Sequence, residues 1–452
     1  MPLEIDTLVE ALDQERARSI AGVESDPGLV RLYAAHSRVA HRQTVTDLRE
    51  AGQAALAARV AALRAERAAA EHEERWRALE AAAHQPGPDG DAPLAALELA
   101  VLREPDRTRR LALARAAADA LEPAAAAREA AVEARARAGA EVGLAPDWRA
   151  VVEGDQLLAA SDDAWREVLG FRARHDLGLA PSPGGDLTRG DLLFLLTLSR
   201  WDGLFRPAAL RAAVHATVTA LGLDLSRLRI DEGTRPAQWP GVHVVGARVA
   251  WRPRGGAGDW QDLLAGLPRA LAATHASPHR REPLLGHALG WLVESLLLEP
   301  RWLADHAGVE RKVAPDLIRD LALRRLFTLR ARAAAFRIAT EVERGLSGAA
   351  WREAYREALT AATGAAWEGV RAARDADGAA HAAALAGAGA GEALRLAVRE
   401  QLDEDWWRNP RTAAFLAGLL AGGALPDPEA GAPREPALAA QALAARLEGS
   451  AR

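Results

Sequence analysis

Apolar residues recur every three or four positions along most of the chain, which predicts an overwhelmingly helical protein. A first helix is expected over residues 4–22. From Leu29 to Ala83 there is no proline and only one glycine, Gly52, while Val45, Leu48, Leu56, Val60 and Leu63 keep helical spacing. One continuous helix there would reach about 80 Å, so a bend near Gly52 is expected. The breaker QPGPDGD (Gln85–Asp91) ends that segment, and Asp106 is placed to cap a long Ala-rich helix running towards Gly139. Helical segments follow at Trp148–Ala159 and Asp163–His175, then the turn PSPGGD. Gly190–Phe205 reads as a buried helix and Pro207–Leu225 as an amphipathic one ending at Gly222. Only residues 227–252 carry strand character, with Val242, Val244, Val245, Val249 and Trp251 around Gly246. Further helices are expected over 315–346, 349–361 and 379–402, then a Pro/Gly linker and a short helix at 436–447.

The centre of the chain is the stretch Asp259–Trp302, which reads as two helices with a break between them. Asp259 is a good N-cap, and Asp262 adds a second carboxylate to the positive first turn. Trp260, Leu263, Leu264, Leu267 and Leu271 form its apolar face. Gly266 and Pro268 lie inside this helix, at a propensity cost of about 1 and about 3 kcal/mol against Ala. A kink or local irregularity is therefore expected.

Composition narrows the chemistry. A chain of 452 residues can bury a large core, as one domain or as two lobes. Its net charge of -5 gives no reason to expect nucleic-acid binding. There is no cysteine, which removes disulfides, thiolate metal sites and Cys nucleophiles. No apolar run approaches the ~20 residues of a membrane span, and the acidic N-terminus lacks the apolar core of a signal peptide. A cytoplasmic protein without membrane partners is the expectation.

Several local features have ordinary explanations. The four arginines of REPDRTRR (Arg103–Arg110) read as a helix surface with its own acids nearby. His215 reads as a core or groove histidine. The glycines of RPRGGAGD lack the Lys-Ser/Thr of a P-loop and read as a turn. His275, His279 and His287 are the clustered histidines of the central region; the first two have i, i+4 spacing, but Pro278 interrupts a helix there.

Several strings, in shared order, resemble the thimet oligopeptidase and oligoendopeptidase family of zinc peptidases. They are REPDRTRR, DLLFLLTLSRWDGLF, the frame Gly255, Gly256, Asp259, Trp260, Leu263, Leu264, Ala270 and Leu271, the string VESLLLEPRWL, and LDEDWWRNPRTAAFLAGLLAGG, from about Arg103 to Gly423. The resemblance implies a mainly α fold with two helical lobes around a channel and one small antiparallel β region (about 227–252). It implies an N-terminal lobe over 1–187, a catalytic-type lobe over 188–423, and a C-terminal linker with a short helix over 424–452. In the family, an H-E-x-x-H helix supplies two zinc ligands and the general base, and a later helix supplies a Glu ligand.

On that frame, the first ligand position is Ala265, the base is Gly266, the second ligand is Arg269, and the third falls at His287. Ala and Gly offer no donor, and Arg is a fixed cation. The family's oxyanion tyrosines also have no counterpart between Asp375 and Leu394, where His381 remains; the only tyrosines are Tyr33 and Tyr355. The expectation is a catalytically inactive peptidase homologue without zinc. It would bind a peptide or a protein partner (an active relative being one candidate) through Arg269, His287, Val244, Trp251 and His381. The buried Arg269 would find a carboxylate in Glu294 or Glu282. Two other readings stay open: a zinc hydrolase with ligands relocated to His275, His279 and His287, and a purely structural helical protein.

Overall fold

The structure, a computed structural model, describes residues 1–144, 153–179, 186–422, 425 and 435–448. It is mainly α, as the periodicity predicts. The first layer is α1 (Pro2–Ile20), α2 (Leu29–Ala35), α3 (Arg42–Glu50) and α4 (Ala54–Ala82), gathered round Ile5, Leu8, Tyr33, Val60 and Leu63. The long segment after Leu29 is thus three helices. Gly52 makes the second break with a left-handed φ of 71°. The first break, at 36–41, has no Pro or Gly to announce it; there His41 caps α3 by accepting from the Gln43 N–H.

Gln85–Asp91 is more than a breaker. It forms the hairpin β1 (His84–Gly87) and β2 (Gly90–Pro93), with Gly90 at φ 110° in the turn. The chain therefore has a second small sheet, which alternation could not announce in so short and polar a stretch. Beyond it lie α5 (Leu94–Arg103) and α6 (Arg107–Glu141), and Asp106 caps α6 by accepting from the Arg109 N–H.

The arginines at the start of α6 are not a plain surface. Arg110 is fully buried, 2.7 Å from Asp191 at the start of α9 (Arg189–Leu196), and Arg107 reaches the same carboxylate. Arg103 pairs with Asp202 and donates to the Arg254 carbonyl. Only Arg109 fits the surface reading, pairing with Glu104 and Asp89. The carboxylates that pair with the others lie 81 or more residues away, beyond the reach of local pattern.

Between these helices come α7 (Gly154–Ala159) and α8 (Asp162–Leu177). The first part of the helix expected from Trp148, most of the turn PSPGGD and most of the linker after Gly422 fall outside the described residues. The apolar run from Gly190 is helical only to Leu196; Leu198 then takes a φ of 59° and the chain turns through Ser199–Trp201. On α10 (Pro207–Ala220), His215 is exposed, not in the core.

The second sheet has the order β3 (Arg229–Asp231), β5 (Arg248–Arg252), β4 (Gly241–Val245). It is mixed, since β4 and β5 form an antiparallel hairpin while β3 runs parallel to β5. The excursion 232–240 carries the chain past β5 before β4 begins, so β3 meets its neighbour in the same direction.

The largest core joins this sheet to α11 (Ala257–Ala272), α12 (Pro283–Glu294), α13 (Pro300–Ala307), α14 (Ala314–Glu343), α16 (Gly378–Leu402), α17 (Pro410–Gly422) and α18 (Pro436–Glu448), with α15 (Gly348–Thr363) preceding α16. Leu157 and Trp165 of α7 and α8 belong to the same core. Trp406 and Trp407 are buried in it, as packing residues. No helix among the described residues is long and apolar enough to cross a membrane.

Candidate functional site

The site is built on the β4–β5 hairpin and the helix that follows. After β5 the chain reverses at Gly255 and Gly256, with φ of 84° and 70°, a region that a side chain rarely adopts. Asp259 locks this turn: its buried carboxylate accepts from the backbone N–H of Arg254 and of Gly255, both at 2.8 Å. It is not the N-cap expected from the sequence. The helix starts two residues earlier and the cap position is Gly256, because the carboxylate is spent on the loop behind it. Burial raises the Asp259 pKa above the usual carboxylate value, against the pull of those two N–H groups. Asp262, one turn on, pairs with Arg254.

α11 runs through Pro268 as one helix. Ala265, Gly266 and Arg269, at i, i+1 and i+4, share the face that meets β4 and α12. A methyl on Gly266 would lie 2.6 Å from Cγ1 of Val242 in β4. α12 crosses just as closely: a Cβ on Gly290 would lie 2.5 Å from the Ala265 carbonyl oxygen. α16 does the same to α12, where a Cβ on Gly391 would lie 2.6 Å from the Ala288 oxygen and from Trp291 Cβ. The run AGAGAG in α16 is thus a contact surface that lets α16 touch α12 backbone to backbone, as Gly290 lets α12 touch α11.

Two adjoining cavities open along this contact. The smaller, about 200 Å³, lies between α11, α12, α14 and α16; the larger, about 650 Å³, extends past β4 and the 3-10 turn Gly369–Asp375 to the start of α16. Arg269, His287, Thr328 and Arg332 line both. The walls carry eight arginines against five carboxylates, and the pairing is uneven. Glu98 takes Arg189 and Arg371, Asp262 takes Arg254, and Glu294 takes Arg325 at 3.1 Å. Arg374 stacks 3.4 Å over Trp239, and Arg324 donates to the Leu196 carbonyl.

Among the described residues, neither Arg269 nor Arg332 has a hydrogen-bond or ion-pair partner. The carboxylate expected for Arg269 is therefore not supplied: Glu294 is taken by Arg325, and Glu282 is exposed. Burial, together with the charge of Arg332, depresses the Arg269 pKa to about 10.

The histidines are neutral in this setting. Burial, then Arg269 and Arg332, hold His287 well below its usual pKa. Burial and Arg374 push His243 of β4 down to about 4. His381 lies 2.8 Å by Nε2 from the Asp375 carbonyl, so that nitrogen donates; its buried Nδ1 faces no partner.

Ala265 and Gly266 thus line the smaller cavity, His381 the larger, and Arg269 and His287 both. Trp251 lines neither: it is buried in the core, on the sheet face it shares with its cross-strand partner Val242. Val244 packs beside Gly266, and its neighbour Val242 lines the smaller cavity instead. His279 is held against Asp6 of α1, 2.8 Å away, and His275 sits at the loop end of α11. The three histidines of the relocated-ligand reading are therefore not brought together. Sequence reasoning missed Arg332, Arg324 and His243. The readable signal was Arg325, Thr328 and Arg332 at i, i+3 and i+7 of α14, a polar stripe on a buried helix.

Zinc does not fit these walls. Ala265 and Gly266 have no donor atom, Arg269 is a cation, and His287 offers one imidazole flanked by guanidinium groups. Among the described residues, no three His, Asp or Glu side chains are arranged to hold a metal.

A helical shell around an internal channel, with a small sheet on one wall, is the architecture of oligoendopeptidases, and the fold is similar to theirs. An oligoendopeptidase F structure shares 13% identity, with 97% of this chain and 85% of that one covered at a TM-score of 0.55. PZ peptidase A, solved with an inhibitor, shares 13% over 97% and 86%, at 0.52. An oligoendopeptidase F from Bacillus anthracis str. Ames shares 12% over 94% and 80%, at 0.50. At such identities the likeness is one of fold. No protein-family model and no curated protein matches the sequence.

Proposed function

We propose that this chain is a peptidase-like protein that holds an extended peptide in its channel and does not hydrolyse it. The observation that carries the reading is the chemistry of the wall at Ala265, Gly266, Arg269 and His287. Hydrolysis of a peptide by metal-bound water needs several lone pairs converging on one cation and a base beside it. This wall offers one neutral imidazole, a backbone and a fixed positive charge. Peptide binding needs none of the missing groups. β4 is an edge strand of its sheet, with Val242 on the smaller cavity and His243 on the larger, so an extended peptide can add to that edge by backbone pairing.

The test is turnover of an internally quenched oligopeptide mixture by purified protein, with and without added zinc, alongside metal content of the same sample. The expected result is no cleavage above the blank in either condition and no stoichiometric metal. Cleavage abolished by a chelator would overturn the reading.

A further inference from the structure

We propose that Arg269 and Arg332 form a subsite in the channel that binds a carboxylate of the captured peptide. The inference rests on the peptide-channel reading and names what the channel selects.

Each other arginine of the cavity walls has a carboxylate, a carbonyl or an aromatic face to rest against. Arg269, from α11, and Arg332, from α14, have none among the described residues, yet both are half-buried in the fold and line both cavities. The acids nearest to them are engaged. The carboxylate of Asp375 accepts from the Tyr355 hydroxyl, Asp377 caps α16 through the Ala380 N–H at 3.0 Å, and Glu294 holds Arg325.

Two half-buried guanidinium groups, of which Arg332 lowers the proton affinity of Arg269, are poised to gain from an anion placed at the cavity they share. A planar carboxylate accepts from such forks through two oxygens. His287 lies beside them as a neutral imidazole, so the positive charge there is that of the two guanidinium groups.

The rest of the cavity narrows the class of anion. Phe327, Leu193, Leu359 and Trp367 give the larger space apolar surface, and the adjacent β4 edge offers backbone donors and acceptors. That combination suits an extended peptide bearing a carboxylate, at its C-terminus or on an Asp or Glu side chain. The interior position and the net charge of -5 disfavour a polyphosphate chain.

The test uses the full-length protein and three labelled pentapeptide mixtures. One has a free C-terminal carboxylate and no acidic side chain, one is its amidated twin, and one is amidated with a central Glu. Anisotropy is expected to show one carboxylate-bearing mixture binding at least about thirtyfold tighter than the amidated, acid-free one. Arg269→Met and Arg332→Met should each abolish that preference, and which mixture wins identifies the carboxylate.

Both variants should keep wild-type circular dichroism and unfold at higher urea, because an unpaired half-buried charge has been removed. Unfolding at lower urea would mean the guanidinium is already satisfied within the folded chain, and would overturn the subsite. Equal binding of all three mixtures would overturn the subsite and leave the channel reading intact. Binding of none at millimolar concentration would overturn both, and cleavage would overturn the channel reading.

Discussion

The closeness of α12 to α16 gives the sharpest prediction, because one chemical change should have opposite signs at two places. Gly387 lies in the buried middle of α16, opposite His287. An added Cβ there would fall on the His287 Cβ, well inside the 3.0 Å that such contacts do not go below, and within 3.2 Å of the backbone of His287 and Ala288. Carbon atoms settle at about 3.5–4.0 Å, so the helices would have to part by roughly 1 Å. Overpacking of this kind costs about 1–3 kcal/mol, against a helix-propensity gain of at most about 1 kcal/mol on replacing Gly by Ala. Gly387→Ala should therefore lose on the order of 1–2 kcal/mol.

Gly418 is the control. It is helical and exposed on α17, with nothing within 4 Å of its Cβ position. Gly418→Ala should gain about 0.5–1 kcal/mol. Urea unfolding followed by circular dichroism should place the two midpoints on opposite sides of wild type, separated by roughly half a molar for a slope near 3 kcal/mol/M or more. A Gly387→Ala protein stabilised as much as Gly418→Ala would refute the backbone-to-backbone contact, and with it the shape of the smaller cavity.

Other expectations follow from single contacts. Asp259→Ala leaves the N–H groups of Arg254 and Gly255 without their acceptor and should cost about 2 kcal/mol or more, read as an earlier urea midpoint. Glu73 lies between Arg16 and Arg77; burial opposes its ionisation, but the two guanidinium groups outweigh it and lower its pKa from 4.5 to about 2. Its folded pKa is below the unfolded one, so its contribution, on the order of 3 kcal/mol, is complete above pH 4.5 and lost as pH falls towards 2. Glu73→Gln should accordingly be less stable than wild type at pH 7 and converge with it near pH 2; a gap that persists unchanged in acid would refute the assignment.

What the sequence made legible and what it hid differ by range. The helices from Pro315 onward, the cap at Asp106, the stop at Gly222 and the hairpin around Gly246 are written in residues a few positions apart, and they appear where that spacing puts them. Ala265, Gly266 and Arg269 could be placed on one helix face by counting alone. The identity of the space they face could not, because it depends on which side chains arrive from α12, α14 and α16. The stripe of Arg325, Thr328 and Arg332 on α14 was readable, but that Arg332 meets Arg269 was not, and neither was the pairing of Glu294 with Arg325 in place of Arg269. Arg110 was misread as a surface residue for the same reason, its partner Asp191 being 81 residues away.

This separation of ranges has a consequence for how the site is held together. The close approaches of Gly266 to the Val242 side chain, of Gly290 to α11, and of Gly387 and Gly391 to α12 leave almost no freedom for α11, α12 and α16 to slide, while Arg269 and Arg332 have no hydrogen-bond or ion-pair partner among the described residues to hold them. A half-buried charge without a partner would ordinarily be relieved by a helix shift that admits water or brings up an acid. Here that relief is opposed by crossings too close to admit even an added methyl. The small residues and the arginines therefore act as one device, in which close packing supplies the rigidity that keeps two guanidinium groups facing an open space. Loosening the crossing should weaken carboxylate preference even in a variant that leaves both arginines in place.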